Sequence, residues 1–201
     1  MKLLIVYGPT REPIDPVRYI SNYSTGVMGR YLIEWAKKRK HVVDKIECPV
    51  DVETAKDLLV LMKKKIGWCD ALIMAAAVCD ARPATVAQAK IKKEKLMTLK
   101  LVKNPDLLAE LATYRKPGQK MIGFALESEN ELQNAAKKRE KKNLDLIVLQ
   151  RVTRNNTPFG DRKIDAWFVD GSPKPRAFRG IAKKQLARRV IVEAERLLEI
   201  A

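Results

Sequence analysis

The chain has 201 residues, 46% of them hydrophobic, and a formal net charge of +16 from 40 Lys and Arg against 24 Asp and Glu. This length is enough for one buried core, so we predict a single domain over residues 1–201. No apolar run approaches the roughly 20 residues that span a bilayer, and the first residues lead directly into a predicted strand, so we expect no membrane segment, no signal peptide and a cytoplasmic location.

The positive charge can indicate nucleic-acid binding, but its distribution favours another interpretation. Many of the lysines fall in short runs on predicted helix faces, at 37–40, 63–65 and 137–142. No RNP or zinc-finger pattern appears, so nucleic acid is not the expected partner. A few of these lysines should instead line a site for a polyanion.

The cysteines and the single histidine exclude several kinds of site. Cys48, Cys69 and Cys79 form no Cys-x-x-Cys pair, so neither a disulfide framework nor a zinc site is expected. His41 precedes an apolar pair and is expected at a strand edge. One histidine excludes a multi-histidine metal site and disfavours a His-based triad.

The first half of the chain alternates predicted strands and helices. Predicted strands cover residues 2–7, 41–46 and 70–77, and predicted helices cover 29–38 and a segment that begins within 51–54 and ends at 65. This alternation favours a parallel sheet with helices on both faces. Ligands gather at the carboxyl ends of such strands, so we expect Gly8 and residues 75–80 at one edge of the site.

The second half contains a flap and a further set of elements. Residues 78–95 combine Pro83, little periodicity and the basic cluster 90–93, which predicts a flap. Asn104 and Pro105 are expected as the N-cap and first residue of a helix that ends near Tyr114. Further strands are predicted at 96–102, 120–126, 144–149 and, at the sheet edge, 163–170. Further helices are predicted at 128–142 and 181–200, and the polar segment 151–162 is expected to be mobile.

Residues 8–29 form a connection that is too long for the usual strand-to-helix turn of roughly 2–6 residues. Gly26 and Gly29 open the following helix, where unpaired backbone N–H groups favour an anion. Ser24 and Thr25 are candidate N-cap or phosphate-contact residues. The stretch has neither the Gly-x-Gly-x-x-Gly spacing of a dinucleotide fold nor the Gly-Lys-Ser/Thr of a P-loop, which disfavours a dehydrogenase or a P-loop NTPase.

Three further clusters could contribute to a site. The small residues 75–77 would let a flat ligand approach the strand end, and Asp80 could bind a ribose hydroxyl or Mg²⁺. The basic cluster 90–93 could close over a triphosphate. The helix start at 103–108 offers N–H groups to a base or phosphate. Each cluster alone also fits an ordinary structural role, as a solvated Asp, a solvated lysine run or a capped helix.

Together these segments resemble phosphopantothenate–cysteine ligase (phosphopantothenoylcysteine synthetase), found alone or as the ligase half of the bifunctional coenzyme A biosynthesis protein family. The matching segments are TREPIDPVRYISNYSTGVMG (10–29), AAAVCD (75–80), KIKK (90–93), KNPDLL (103–108), GFALE (123–127) and KNLDLI (142–147). The first is the most specific, and the resemblance covers nearly the whole chain. No flavin-binding decarboxylase half precedes it, so we expect the ligase alone. Whether a separate flavin-dependent decarboxylase chain associates is left open.

The resemblance implies a fold, a reaction and an assembly. The fold is α/β and Rossmann-like (ribokinase-like), a mostly parallel sheet with helices on both faces and a small strand and flap extension. With CTP and Mg²⁺, the carboxylate of 4′-phosphopantothenate is activated to an acyl-cytidylate with release of pyrophosphate. The amine of L-cysteine then displaces CMP and gives 4′-phosphopantothenoylcysteine. The family is dimeric, so a homodimer with its active site at the subunit interface is expected.

The same resemblance assigns site residues. Lys90 would hold the nucleotide and Asn22 would bind the acyl-cytidylate during its conversion, so these two are the expected catalytic residues. Arg18, Asn22 and Ala77 match the phosphopantothenate site. The other expected nucleotide-binding residues are Met74, Ala75, Ala76, Asp80, Pro105, Asp106, Leu107, Leu108, Phe124, Lys138 and Lys142. No metal ligands are implied.

Two other functions stay open. One is the same ligation with ATP, as in the eukaryotic branch, although the flap at 90–93 together with residues 104–106 favours CTP. The other is a catalytically silent homologue that binds nucleotide or nucleic acid, which the intact Asn22, Asp80 and Lys90 disfavour.

The chain departs from the family at Gly8-Pro9 (usually two glycines), at a short segment around 48–50, and at 149–151, where Leu-Gln-Arg replaces Ala-Asn-Asp.

Overall fold

The computed structural model describes residues 1–96, 98–153 and 157–199. The strands are β1 Lys2–Pro9, β2 Arg11–Pro13, β3 Tyr19–Ser21, β4 Val42–Glu47, β5 Ala71–Ala77, β6 Ala81–Pro83, β7 Leu101–Lys103, β8 Lys120–Glu127, β9 Leu146–Arg151, β10 Lys163–Val169 and β11 Arg176–Ala182. The α-helices are α1 Val27–Lys38, α2 Ala55–Lys65, α3 Leu107–Ala112, α4 Glu131–Lys141 and α5 Lys183–Glu199. Within the described residues, no helix is both long enough and apolar enough to cross a membrane.

A seven-stranded sheet in the order β11-β10-β9-β8-β5-β1-β4 forms the centre of the molecule. The five strands from β4 to β9 are parallel, and β10 and β11 are antiparallel. The chain goes from β1 to β4 on one side and then to β5 on the other, so the strand order reverses between β1 and β5. Ligands bind outside the carboxyl ends of parallel strands at such a reversal. The predicted mostly parallel α/β architecture is confirmed.

Helices cover both faces of the sheet because the central strands are apolar on both sides. Leu4 of β1 packs into the layer that contains Met62 of α2. Its neighbour Ile5 points to the opposite face, into the layer that contains Leu32 of α1 and Leu186 of α5. The alternation of side chains along a strand therefore divides the core into an α2/α3/α4 layer and an α1/α5 layer.

The edge of the sheet differs from the prediction. The strand expected at 163–170 is present as β10, but it pairs on both sides and β11 lies outside it. The prediction misses β11 because its residues, including Arg176 and Arg179, are mostly exposed and show no apolar alternation. Parts of two other predictions, residues 154–156 of the segment 151–162 and residue 200 of the last helix, lie outside the described residues.

The start of α3 also differs from the prediction. The N-cap is Asp106, whose carboxylate accepts a hydrogen bond from the N–H of Ala109 at 3.3 Å, and the helix ends at Ala112. The prediction that Asn104 caps this helix is wrong, because its amide instead donates to the Cys79 carbonyl at 2.9 Å. Of the strand predicted at 96–102, only its end is found in β7, which pairs with β6, and residue 97 is not described.

Gly29 of α1 packs against β1 so closely that no larger residue fits. A Cβ at this position would lie 2.1 Å from Cγ of Tyr7. Tyr7 is buried, and its hydroxyl donates to Glu47 at 2.6 Å, so its ring cannot move aside. We expect Gly29→Ala to lower the free energy of unfolding by about 1–3 kcal/mol through overpacking, measured by urea denaturation.

Gly67→Ala is the matched control for this prediction. Its new Cβ would lie 3.5 Å from Cε of Lys116, an ordinary contact with a flexible side chain. Its free energy of unfolding should stay within about 0.5 kcal/mol of the wild-type value. Equal losses in the two variants would contradict the packing argument for Gly29.

Candidate active site

A cavity of about 360 Å³ opens beyond the carboxyl ends of β5, β8 and β9. A second cavity, of about 380 Å³, continues from it towards the start of α3 and shares Ala76, Asp80, Phe124 and Lys142 with it. The two cavities lie beside the reversal of strand order, where the fold is expected to bind its ligands.

The cavities gather most of the predicted site residues. Those that line one or both are Asn22, Met74, Ala75, Ala76, Ala77, Asp80, Pro105, Asp106, Leu107, Leu108, Phe124, Lys138 and Lys142. Arg18 and Lys90 line neither cavity. The expected acyl-substrate and nucleotide residues therefore meet at one place, while their individual roles stay predictions.

The 8–29 stretch places Asn22 at the end of β5. Its first part folds into the β2–β3 hairpin. The N–H of Thr10 donates to the Ala77 carbonyl at 3.1 Å, and the Asn22 amide donates to the same carbonyl at 3.1 Å. Oδ1 of Asn22 accepts no hydrogen bond from any described residue, so it is available to a ligand.

In the pair Gly8-Pro9, where the family usually has two glycines, position 8 is the one that only glycine can occupy. Its φ is +85°, and a Cβ would lie 2.0 Å from the carbonyl oxygen of Cys48. Pro9 follows in register with Ala77. The departure from the family pattern therefore leaves the conformationally demanding position as glycine.

The start of α1 opens into the cavity without a side-chain cap. Its N-cap is Gly26, and the first turn carries no acidic residue. The prediction that Ser24 or Thr25 is the N-cap is wrong, because the chain enters the helix through Gly26, and Ser24 Oγ accepts only a long 3.4 Å hydrogen bond from the Gly26 N–H. Gly26, Val27 and Met28 line the cavity. The uncapped N–H groups of this turn favour an anionic ligand group.

Lys138, Lys142 and the carboxylate of Asp80 are solvent-accessible charged groups at the cavities. Lys138 pairs with Glu127 at 2.6 Å and Lys142 with Asp106 at 3.1 Å. Both pairs are partly exposed, so an incoming phosphate can compete for the lysines. The exposed carboxylate of Asp80 makes no hydrogen bond or ion pair with a described residue, which leaves it open to a hydroxyl or a cation.

Asp15 connects the 8–29 stretch to the flap. This buried carboxylate accepts from the Arg18 guanidinium at 3.0 Å and from the N–H of Ile91 at 3.1 Å. Burial tends to raise its pKa, but the N–H groups of Val17, Ile91 and Arg18 and the Arg18 charge together hold the pKa of Asp15 below its usual value. Lys90 lies exposed beside Ile91. Contact between Lys90 and a ligand therefore requires flap movement or a ligand that extends beyond the cavity.

Two buried polar residues that line the cavity, Gln150 and Lys183, are not among the predicted site residues. Gln150 is the penultimate residue of β9 and is 5% exposed, and Lys183 begins α5 and is 4% exposed. A polar residue directly after a buried apolar run is a signal that could have identified Gln150. A lysine at a helix N-terminus, where the dipole disfavours a cation, is the corresponding signal for Lys183.

Glu12 gives the stability of the fold a measurable pH dependence. It is 1% exposed and accepts the N–H of Ala55, the first residue of α2, at 2.9 Å. Burial raises the pKa of Glu12 above its ordinary 4.5, so the folded state binds more protons than the unfolded state between the two values. This contribution to stability is present at low pH and is lost as the pH rises through the raised value.

We expect Glu12→Gln to remove that loss, because the amide oxygen can still accept from Ala55. Urea denaturation from pH 4 to pH 7 should show the variant gaining stability relative to the wild type as the pH rises. Parallel curves of unfolding free energy against pH for the two proteins would contradict the raised pKa assigned to Glu12.

Comparisons with known proteins agree with the geometry. Residues 1–197 match the family described as the DNA/pantothenate metabolism flavoprotein C-terminal domain. The chain is 36% identical over 203 residues to a cysteine/cysteine sulfinic acid decarboxylase of an unknown prokaryotic organism, covering 94% of this chain and 56% of that protein. It is 38% identical over 188 residues to the coenzyme A biosynthesis bifunctional protein CoaBC of Escherichia coli (strain K12), covering 85% of this chain and 46% of that protein.

The chain thus spans about half the length of the curated relatives that it matches. A solved structure, the C-terminal domain of the coenzyme A biosynthesis bifunctional protein CoaBC, matches with a TM-score of 0.80 at 28% identity. That match covers 100% of this chain and 96% of the other.

Proposed function

Because the chain belongs to the DNA/pantothenate metabolism flavoprotein C-terminal domain family, we propose that it is a phosphopantothenate–cysteine ligase of coenzyme A biosynthesis. The observation that carries the proposal is the meeting of Asn22, Asp80, Lys138 and Lys142 at one pair of cavities beyond the parallel strands. The cysteine/cysteine sulfinic acid decarboxylase is matched over only 56% of its length, so the proposal does not include its decarboxylase activity.

The proposed reaction has two steps at this site. The carboxylate of 4′-phosphopantothenate attacks the α-phosphate of CTP, and pyrophosphate leaves. The amine of L-cysteine then attacks the acyl carbon of the acyl-cytidylate, and CMP leaves with the bond electrons. Neither step needs a nucleophilic side chain, so the protein contributes positioning and neutralisation of phosphate charge.

The described residues suit these tasks. Asn22 at the end of β5 would hold the acyl group, since its amide is fixed on Ala77 and its Oδ1 is free. The uncapped first turn of α1, Lys138 and Lys142 would receive the phosphates.

Mg²⁺ would reduce the negative charge of the nucleotide phosphates. The described residues contain no cluster of three or more Asp, Glu, His or Cys that could hold a metal ion alone. The unpaired Asp80 fits the usual magnesium arrangement, in which one or two carboxylates and the substrate phosphates supply the ligands. Asp80 is therefore the residue that we assign to the ion or to the ribose.

A homodimer with the site at its interface would give Arg18 a role, since Arg18 lies outside the cavities of its own chain. CTP is favoured over ATP by the resemblance of the flap and the 104–106 segment. The cytoplasmic location and the association with a decarboxylase chain stay predictions.

One assay tests the proposal. The protein is incubated with 4′-phosphopantothenate, L-cysteine, Mg²⁺ and either CTP or ATP, and pyrophosphate and 4′-phosphopantothenoylcysteine are measured. We expect both products with CTP, less of each with ATP, and no pyrophosphate when phosphopantothenate is omitted. Absence of pyrophosphate with either nucleotide would leave the silent homologue as the better interpretation.

Asn22→Asp tests the role of the loop. The change keeps the shape but removes the N–H donor that reaches Ala77, and it adds a negative charge beside the acyl group. We expect the formation of 4′-phosphopantothenoylcysteine to fall by about 100-fold or more, while the acyl-cytidylate accumulates and is detected by chromatography of quenched reactions.

Ser21→Ala is the control for general loosening of the same loop. Ser21 donates to the Thr10 carbonyl at 2.7 Å and does not line the cavities. This variant should keep most of its product formation. Normal turnover by Asn22→Asp, or an equal loss in Ser21→Ala, would remove the role assigned to Asn22.

A further inference from the structure

Lys183 is a buried cation without a carboxylate partner among the described residues. Its ammonium donates to the carbonyl oxygens of Pro158 and of Gly160, the latter at 2.6 Å. The neighbouring Asp161 accepts from the Tyr31 hydroxyl at 2.7 Å and makes no ion pair with Lys183. Burial lowers the pKa of Lys183, and the nearby charge of Asp161 offsets this only in part, because no carboxylate is in direct contact with the ammonium. Buried charges in proteins are normally paired, so this one lacks its counterion.

Gln150 is the second polar residue of the same cavity whose side chain has donors to spare. Its backbone pairs within the sheet, but its side-chain amide makes no hydrogen bond with any described residue, although the residue is only 5% exposed. It lies opposite Ala166 in the β9–β10 pair. Because paired residues point to the same face of a sheet and Ala166 belongs to the α1/α5 layer, Gln150 points to the side of the sheet on which α5 begins.

The donors that remain define what this part of the cavity can bind. An ammonium has three N–H groups, and two of those on Lys183 are used, so one is left. Gln150 adds an amide NH₂ group. One charged and one neutral donor match the two oxygens of a single carboxylate. A phosphate dianion would find more donors at the uncapped start of α1 and at Lys138 and Lys142.

The enclosure of this region also favours a small ligand group. Gln150 and Lys183 are 5% and 4% exposed, and the carbonyl oxygens of Pro158 and Gly160 hold the Lys183 ammonium at the wall of the cavity. Of the three proposed substrates, only the amino acid is small and carries a carboxylate that the reaction leaves unchanged.

We propose that Lys183 and Gln150 form the subsite that binds the α-carboxylate of the amino-acid substrate. The inference rests on the proposed ligase function. The subsite would select an amino acid over the corresponding decarboxylated amine and would hold the amine of the substrate towards the acyl group at Asn22. It also assigns a role to Gln150, which stands where the family usually has Asn.

Cysteamine provides the test, because it has the thiol and the amine of cysteine but no carboxylate. Values of kcat/KM for both amines are measured with saturating CTP and 4′-phosphopantothenate in the wild type, Lys183→Met, Gln150→Leu and Lys184→Met. Lys184 is the matched control, since it is exposed at the next position and pairs with Glu34 at 2.9 Å.

We expect the wild type to prefer cysteine by about 10-fold or more, the size of effect given by a hydrogen-bonded charge. Lys183→Met should lose most of that preference through a higher KM for cysteine, Gln150→Leu should lose part of it, and Lys184→Met should keep it. If Lys183→Met does not fold, as judged by circular dichroism, the preference measured for Gln150→Leu decides.

Three results would overturn the inference while the ligase function stands. They are an active wild type without preference for cysteine, equal losses for cysteine and cysteamine in Lys183→Met, and an unchanged preference in a folded Gln150→Leu. A wild type that releases no pyrophosphate is a different result, because it removes the ligase function itself.

Discussion

The position of the candidate site depends on the hydrogen bonds of one buried threonine. Thr10 is 0% exposed and joins the 8–29 stretch to the end of β5 from both sides. Its N–H donates to the carbonyl of Ala77 at 3.1 Å, and its hydroxyl accepts from the N–H of Cys79 at 3.0 Å. A long loop therefore behaves as an extension of the sheet, and Asn22 has a fixed position relative to the strand ends.

Charge is distributed unevenly around the cavities. Lys138 and Lys142 are partly solvated and already have carboxylate partners, so exchanging those partners for phosphate costs little desolvation. Lys183 is in the opposite situation, since its direct partners are two carbonyl oxygens and the charge of Asp161 acts on it without an ion pair. Lys138 and Lys142 suit a large, highly charged and exchangeable ligand, whereas Lys183 suits one small anionic group.

Most of the architecture can be predicted from the sequence because parallel strands that are covered on both faces must be apolar along their whole length. The features that escape prediction depend on contacts between distant segments. β11 has no apolar alternation because it lies at the edge, and Asn104 resembles a helix cap until Cys79 is seen beside it. That Gln150 and Lys183 line one cavity becomes visible only when β9 and α5 are seen together, whereas the position of residues 75–80 at a strand end follows from their pattern alone.

Asp15 holds two segments with one carboxylate, since it accepts both from Arg18 and from Ile91. A second hydrogen bond, from the N–H of Ala87 to the carbonyl of Ile14 at 3.0 Å, joins the same segments. The 8–29 stretch and the basic flap are thus linked by hydrogen bonds, and neither can shift without disturbing the other. A ligand that displaces one of these segments should therefore also displace the other.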